Sequence, residues 1–398
     1  MTESGSTGAQ QALDLRNSGY TSAVLLSTAA NFIMNRGEAA TYTYRIYLKP
    51  RAYGQLKLKL WHSNAVDSTW DQGADALGGE PGGDWRIEAA YLSDGGMEPD
   101  GQVVEGSAVP VTFGGEAGRQ VLPAERWWSD TVHIEIPEGH YLCLSWTLST
   151  VSSGKSYPYN VEQMLATGFE APGNRAGQSS ADGFVRSENR LVLPSFIGYQ
   201  ATVQKQMVFF GDSITQGVRT AKDQYQYWAA EIAAGLGTDY GHWNIGSGWG
   251  RAYDAADGGP WLYKAMQGDE VVIALGVNDL DIGQRTAGQL LDSLQRIVTA
   301  IRSQHAEGSI VLCTVPPFNF EGEKEAAWRE VNAAIRSGQI TGVDRIFDLA
   351  AVLSLPVPAE HRLQPRYMSS EYDPHPNGKA GQDVAAAFLA WYQDAADH

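Results

Sequence analysis

Two rhythms of apolar and polar residues divide the chain. Between about residues 20 and 200, short runs alternate the two kinds, as in Thr41–Leu48 (TYTYRIYL), Gln55–Trp61 (QLKLKLW) and Thr131–Ile136 (TVHIEI). A period of two places the apolar residues on one face of a strand. His140–Leu148 (HYLCLSWTL) is a further β-type run. Gly, Pro, Asp and Asn break these runs, and segments 70–84 and 172–184, rich in Gly, Ser and Asp, predict loops. Long helical periodicity is absent here, so the pattern predicts an antiparallel β-sandwich-like domain.

Near Lys205 the rhythm changes. Met207–Phe210, Asp269–Leu275 and Ser309–Val315 are continuous apolar runs, and Arg345–Leu349 is a shorter one. They alternate with helical patterns over Gln226–Leu236, Ala287–Ser303, Glu323–Ile335 and Asn377 to about Asp394. In Ala287–Ser303 the residues Leu290, Leu291, Leu294, Ile297, Val298 and Ile301 share one face. Apolar strands alternating with helices predict a parallel sheet covered on both sides, hence an α/β domain of three layers. The expected boundary lies between Val192 and Lys205. It assigns 1–200 to a β-rich accessory domain and 201–398 to the α/β domain.

Composition narrows the partners. The 398 residues carry a net charge of −17 without a cluster of Lys or Arg, which argues against nucleic acid. No run of about 18 apolar residues predicts a spanning helix, so no membrane partner is expected. The start, MTESGSTGAQQALDL, lacks a basic and then apolar leader. A cytoplasmic location is expected for the sequence as written, and a trimmed leader would make it a secreted protein. The two cysteines, Cys143 and Cys313, lie in separate apolar runs and are expected as buried free thiols. A homo-oligomer is compatible with all of this.

Four short motifs in the second half carry chemistry. Gly211-Asp212-Ser213-Ile214-Thr215-Gln216-Gly217 follows an apolar strand. Ligands of open parallel sheets bind beyond the carboxyl ends of the strands, so the Ser213 hydroxyl would face that crevice. A Gly-Asp-Ser turn that merely caps a helix is the plainer alternative. Asn244-Ile245-Gly246-Ser247-Gly248-Trp249-Gly250 follows the strand around His242–Ile245, and its glycines would let a backbone N–H approach a substrate. Asn278, in Gly276-Val277-Asn278-Asp279, lies beyond another strand, where its amide could donate to a developing oxyanion or serve a turn. His375, in Asp373-Pro374-His375-Pro376-Asn377-Gly378, is fixed by prolines in a rigid loop before a helix. It titrates near neutrality, as the base for a serine hydroxyl should.

Together these motifs resemble the SGNH/GDSL hydrolases, whose four blocks supply Ser, Gly, Asn and His in that order. The resemblance implies a flavodoxin-like three-layer domain and a serine esterase needing no cofactor. It implies Ser213 as nucleophile and His375 as base. The backbone N–H groups of Ser213 and of Gly248 or Gly246, with Gly248 preferred, and the Asn278 amide would form an oxyanion hole. The family usually places an aspartate three residues before the histidine, and here that position is Tyr372. Asp373 is the first candidate for the third member; Glu371 and a backbone carbonyl are the alternatives. No metal is expected, because the histidines lack ligand spacing and only two cysteines occur.

The first half, VTFGG…LPAERWWSDTVHIEIPEGHYLCLSW, is similar to the β-rich region of bacterial GDSL esterases linked to polysaccharide breakdown. Many of the 12 Trp and 18 Tyr fall in predicted loops: Trp127, Trp128, Trp243, Trp249 and Trp261 among them. Aromatic platforms suit sugar rings, although packing is their commoner use. Asp212, Trp243 and Trp249 are the expected substrate contacts, and O-acetyl esters of oligo- or polysaccharides the expected substrate. A general short-chain esterase or lysophospholipase-type enzyme and a degenerate carbohydrate-binding protein are the competing readings.

Overall fold

The computed structural model describes residues 10–69, 78–160, 165–187 and 189–394. In the first half, every paired strand is antiparallel. Thr41–Leu48 and Trp85–Asp94 flank Leu142–Thr150 in a seven-stranded sheet. Gly54–Ser63 is central to a five-stranded one, between Phe196–Gln200 and Val132–Ile136. Val132–Ile136 shows the predicted alternation: Val132, Ile134 and Ile136 are buried while His133 and Glu135 are exposed. Leu142–Thr150 does not alternate, because both its edges and nearly all its side chains are covered. The ten-residue strand Trp85–Asp94 was missing from the sequence reading, although WRIEAAYLSD alternates in part. Of the predicted loop 172–184, Pro172 ends the strand Gly168–Pro172 and the rest is free of strand; of segment 70–84, residues 70–77 lie outside those described.

The second half is built on five parallel strands: β1 (Lys205–Gly211), β2 (Tyr240–Asn244), β3 (Glu270–Ala274), β4 (Ser309–Cys313) and β5 (Arg345–Phe347). Their order is β2-β1-β3-β4-β5, the flavodoxin-like order whose topological switch lies between β1 and β3. Helices Trp228–Leu236 and Gly378–Asp394 pack together in one layer. Ala252–Ala256, Ala287–Gln304 and Glu323–Arg336 form another. The long helix starts on a capping box in which the Thr286 hydroxyl accepts from the Gln289 N–H. Cys143 and Cys313 are buried and free. Among the described residues no helix is long and apolar enough to cross a membrane.

The two halves share one hydrophobic core. Polar contacts reinforce the junction. Lys264 and Asp67, both fully buried, pair at 2.7 Å across it. The Ser27 hydroxyl donates to the Gly246 carbonyl at 2.6 Å, and the Ser247 hydroxyl donates to the Ser68 carbonyl at 3.0 Å. Thus the loop after β2 is held by the β-rich half.

Candidate active site

Ser213 opens a single helical turn, Ser213–Gln216, at the carboxyl end of β1. Asp212 caps that turn by accepting the Ile214 N–H at 2.9 Å. Gly211 is needed for space. A Cβ there would lie 2.1 Å from the Thr215 hydroxyl and 2.7 Å from the Ala274 carbonyl. Space, not a positive φ, is therefore what this glycine supplies to the turn.

His375 arrives from a hairpin of β6 (Met368–Ser370) and β7 (Asp373–Pro376), not from the loop that the prolines suggested. Pro374 and Pro376 are tolerated because the hairpin has only two strands and both are edges. Asn377 anchors its exit: its amide donates to the carbonyls of Arg366 and Met368 at 3.0 and 2.9 Å. Its own side-chain oxygen accepts the Ala380 N–H at 3.1 Å.

The two motifs converge. Ser213 Oγ lies 3.1 Å from His375 Nε2 across 162 positions of sequence. His375 Nδ1 lies 2.6 Å from Asp373 Oδ1, which also accepts the His375 backbone N–H at 3.1 Å. The other Asp373 oxygen accepts from Arg219 Nε at 2.7 Å. Residues two apart on a strand face the same side, so a strand allows the −2 aspartate to reach the ring. Tyr372, at the usual −3 position, is exposed, and so is Glu371. The Phe318 ring stands edge-on to the imidazole, centroids 5.1 Å apart.

Burial holds the His375 pKa below its ordinary value, although the Asp373 carboxylate pulls it up; the Arg219 charge adds to the lowering. For Asp373, burial works upward. The side-chain and backbone bonds from His375 and the bond from Arg219 outweigh it, and its pKa falls below the usual carboxylate value.

Gly248 and Asn278 follow the strands on either side of β1. Gly248 begins the turn closed by Gly250 N–H to Ser247 C=O at 2.9 Å. Among the described residues, neither the Gly248 nor the Ser213 backbone N–H donates a hydrogen bond. Gly246 differs. Its N–H is taken by Asn244 Oδ1 at 2.8 Å, and a Cβ would lie 2.4 Å from the Gln216 nitrogen. It packs under the serine turn and is withdrawn as an oxyanion donor. The Asn278 amide donates one bond to the Gly250 carbonyl at 3.0 Å.

Two expected substrate contacts are also corrected. Trp243 is fully buried, with its indole N–H on the Thr28 hydroxyl and its ring against Phe196. Asp212 is 2% exposed, and burial aided by the Asp279 charge pushes its pKa up to about 7. It shapes the turn from within and offers no surface to a ligand. Trp249 is half-buried and sits at a φ of 60°, which for a bulky residue is a rare conformation found at functional sites.

Two residues escaped the sequence reading. Asp279 ties Ala252 and Tyr253 to the Asn278 turn through their N–H groups, at 2.8 and 3.3 Å; its place beside Asn278 was the available signal. Arg219 had none, being a lone arginine in a loop. Among the described residues no group of three or more His, Cys, Asp or Glu side chains could hold a metal ion.

A serine, a histidine and an aspartate gathered over the switch point of a flavodoxin-like sheet fit a carboxylic ester hydrolase. Residues 209–382 match the model of the GDSL-like Lipase/Acylhydrolase family. That stretch, under half of the chain, contains Ser213, Asp373 and His375 and follows the antiparallel β-rich first half. No curated protein matches the chain. Among solved structures, a carbohydrate esterase family 3 protein from Talaromyces cellulolyticus is similar at 21% identity, with 48% of this chain and 99% of that one covered and a TM-score of 0.37. A family two carbohydrate esterase from Clostridium thermocellum, in complex with cellohexaose, is similar at 14% identity, with 95% and 99% covered and a TM-score of 0.39. Another from Cellvibrio japonicus is similar at 12% identity, with 93% and 96% covered and a TM-score of 0.36.

Proposed function

We propose that the chain is a serine esterase that removes short acyl groups, O-acetyl first, from carbohydrates. One observation carries this reading: the continuous path Ser213 Oγ, His375 Nε2, His375 Nδ1, Asp373, with contacts of 3.1 and 2.6 Å. His375 takes the hydroxyl proton as Ser213 Oγ attacks the ester carbonyl. The oxyanion is met by the N–H groups of Ser213 and Gly248 and by the second N–H of the Asn278 amide. His375 returns the proton to the leaving sugar hydroxyl, and the acyl group stays on Ser213. Water, deprotonated by His375, then releases the carboxylic acid and restores the serine. Asp373 holds the ring in the tautomer with its proton on Nδ1 and stabilises the imidazolium.

The carbohydrate part of the reading rests on Trp249, an aromatic surface on the same turn as Gly248, together with the sequence likeness of the first half. The test is p-nitrophenyl acetate hydrolysis by the parent and by Ser213→Ala. Turnover by the parent, lost in the variant, supports the esterase; equal rates refute it. Acetate released from acetylated xylan or pectin oligosaccharides, and faster cleavage of acetate than octanoate esters, supports the substrate class. Octanoate preference would point to a general esterase.

A further inference from the structure

The aspartate in this site is held from two sides. Its inner oxygen faces His375, and its outer oxygen receives Arg219 Nε at 2.7 Å. Arg219 comes from the loop that leaves the serine turn, so one short segment supplies both the hydroxyl and the guanidinium. That loop has a demanding shape. Gly217 takes a φ of 105°, and a Cβ on it would lie 2.4 Å from the Tyr227 ring. The Thr220 hydroxyl donates back to the Gly217 carbonyl at 2.7 Å. Arg219 itself takes a φ of 71°. A non-glycine residue held there is strained, and the surroundings must offset that strain.

The pair sits at the surface: the Arg219 side chain is 50% exposed and that of Asp373 26%. An ion pair so exposed adds little to folding stability. Its effect is on direction. The aspartate follows directly on the exposed hairpin tip Glu371–Tyr372 and is itself partly open to solvent. A donor on the outer oxygen leaves the inner one aimed at Nδ1.

We propose that Arg219 is a positioning residue, which clamps Asp373 in the rotamer that orients His375 toward Ser213. The proposal rests on the esterase reading above, but its first test does not need turnover. An imidazole proton bonded to a carboxylate gives a far-downfield proton resonance, and His375→Gln assigns it. In the full-length protein this resonance is expected in the parent and in Arg219→Lys, and is lost or moved upfield in Arg219→Met and in Asp373→Asn. With p-nitrophenyl acetate, Arg219→Met is expected to lower kcat roughly ten- to hundredfold, the cost of a misplaced catalytic group. KM should stay within about twofold, and Arg219→Lys should recover part of the loss. An unchanged resonance in Arg219→Met overturns the proposal. So does a rise in KM with the resonance intact, which would assign Arg219 to the substrate. A parent that binds the proton as described yet hydrolyses no ester would sink the esterase reading and leave the clamp standing.

Discussion

The carboxylate of Asp373 and the imidazole of His375 meet at 2.6 Å with only Pro374 between them. Because both lie on strand β7, their side chains leave the backbone in the same direction. Asp373→Asn should therefore lower kcat by about 10⁴-fold, the size of the loss when a Ser-His-Asp triad holds the wrong tautomer. Esterase assays on purified variant check this. A loss of less than tenfold would transfer the orienting role to a backbone carbonyl.

The same geometry sets a pH dependence. His375 works as a base only when neutral, and burial holds its pKa below the ordinary value of about 6.5. Activity should accordingly be complete above that value and fall as pH drops through a lower one. The acid limb of a kcat/KM profile measures it, and a limb centred above 7 contradicts the assignment.

Asn278 uses one amide N–H on the Gly250 carbonyl, and the proposed mechanism assigns the second to the oxyanion. Asn278→Ala should lower kcat on the order of 10²–10³-fold, as loss of one oxyanion donor does. KM should move little, since the bond strengthens only as charge develops. Steady-state kinetics separates the two; an unchanged kcat would leave Asn278 a turn residue.

Lys264 and Asp67 are both fully buried, and burial lowers the Lys264 pKa against the pull of Asp67. Asp67→Ala strands that cation and also orphans the Ala30 N–H, which Asp67 accepts at 2.9 Å. Breaking such a pair costs about 3–5 kcal/mol. Urea unfolding of the variant should give an unfolding free energy lower by that amount, with a correspondingly lower midpoint, and parent-like stability would refute the coupling.

The parallel sheet was legible because buried strands read as unbroken apolar runs, and Ser213 and His375 because their motifs are specific in residue and order. What a side chain faces was not legible. Trp243 lies on the strand that leads into the motif holding Trp249, yet one is walled in by the β-rich half and the other reaches the surface. Gly248 was preferred over Gly246 without the choice being closed, and Asn244 closes it by occupying the Gly246 N–H. Two prolines around His375 suggested an unpaired loop, and pairing with Met368–Ser370 is a contact no local pattern announces.

The bonds from Ser27 and Ser68 to the stretch that follows β2 tie the history of the two halves together. A recombination breakpoint near residue 200 would bare the Trp243 indole to water and untether the segment that presents Gly248. Neither half is a portable cassette, and any shuffling of this chain must carry the β-rich partner along.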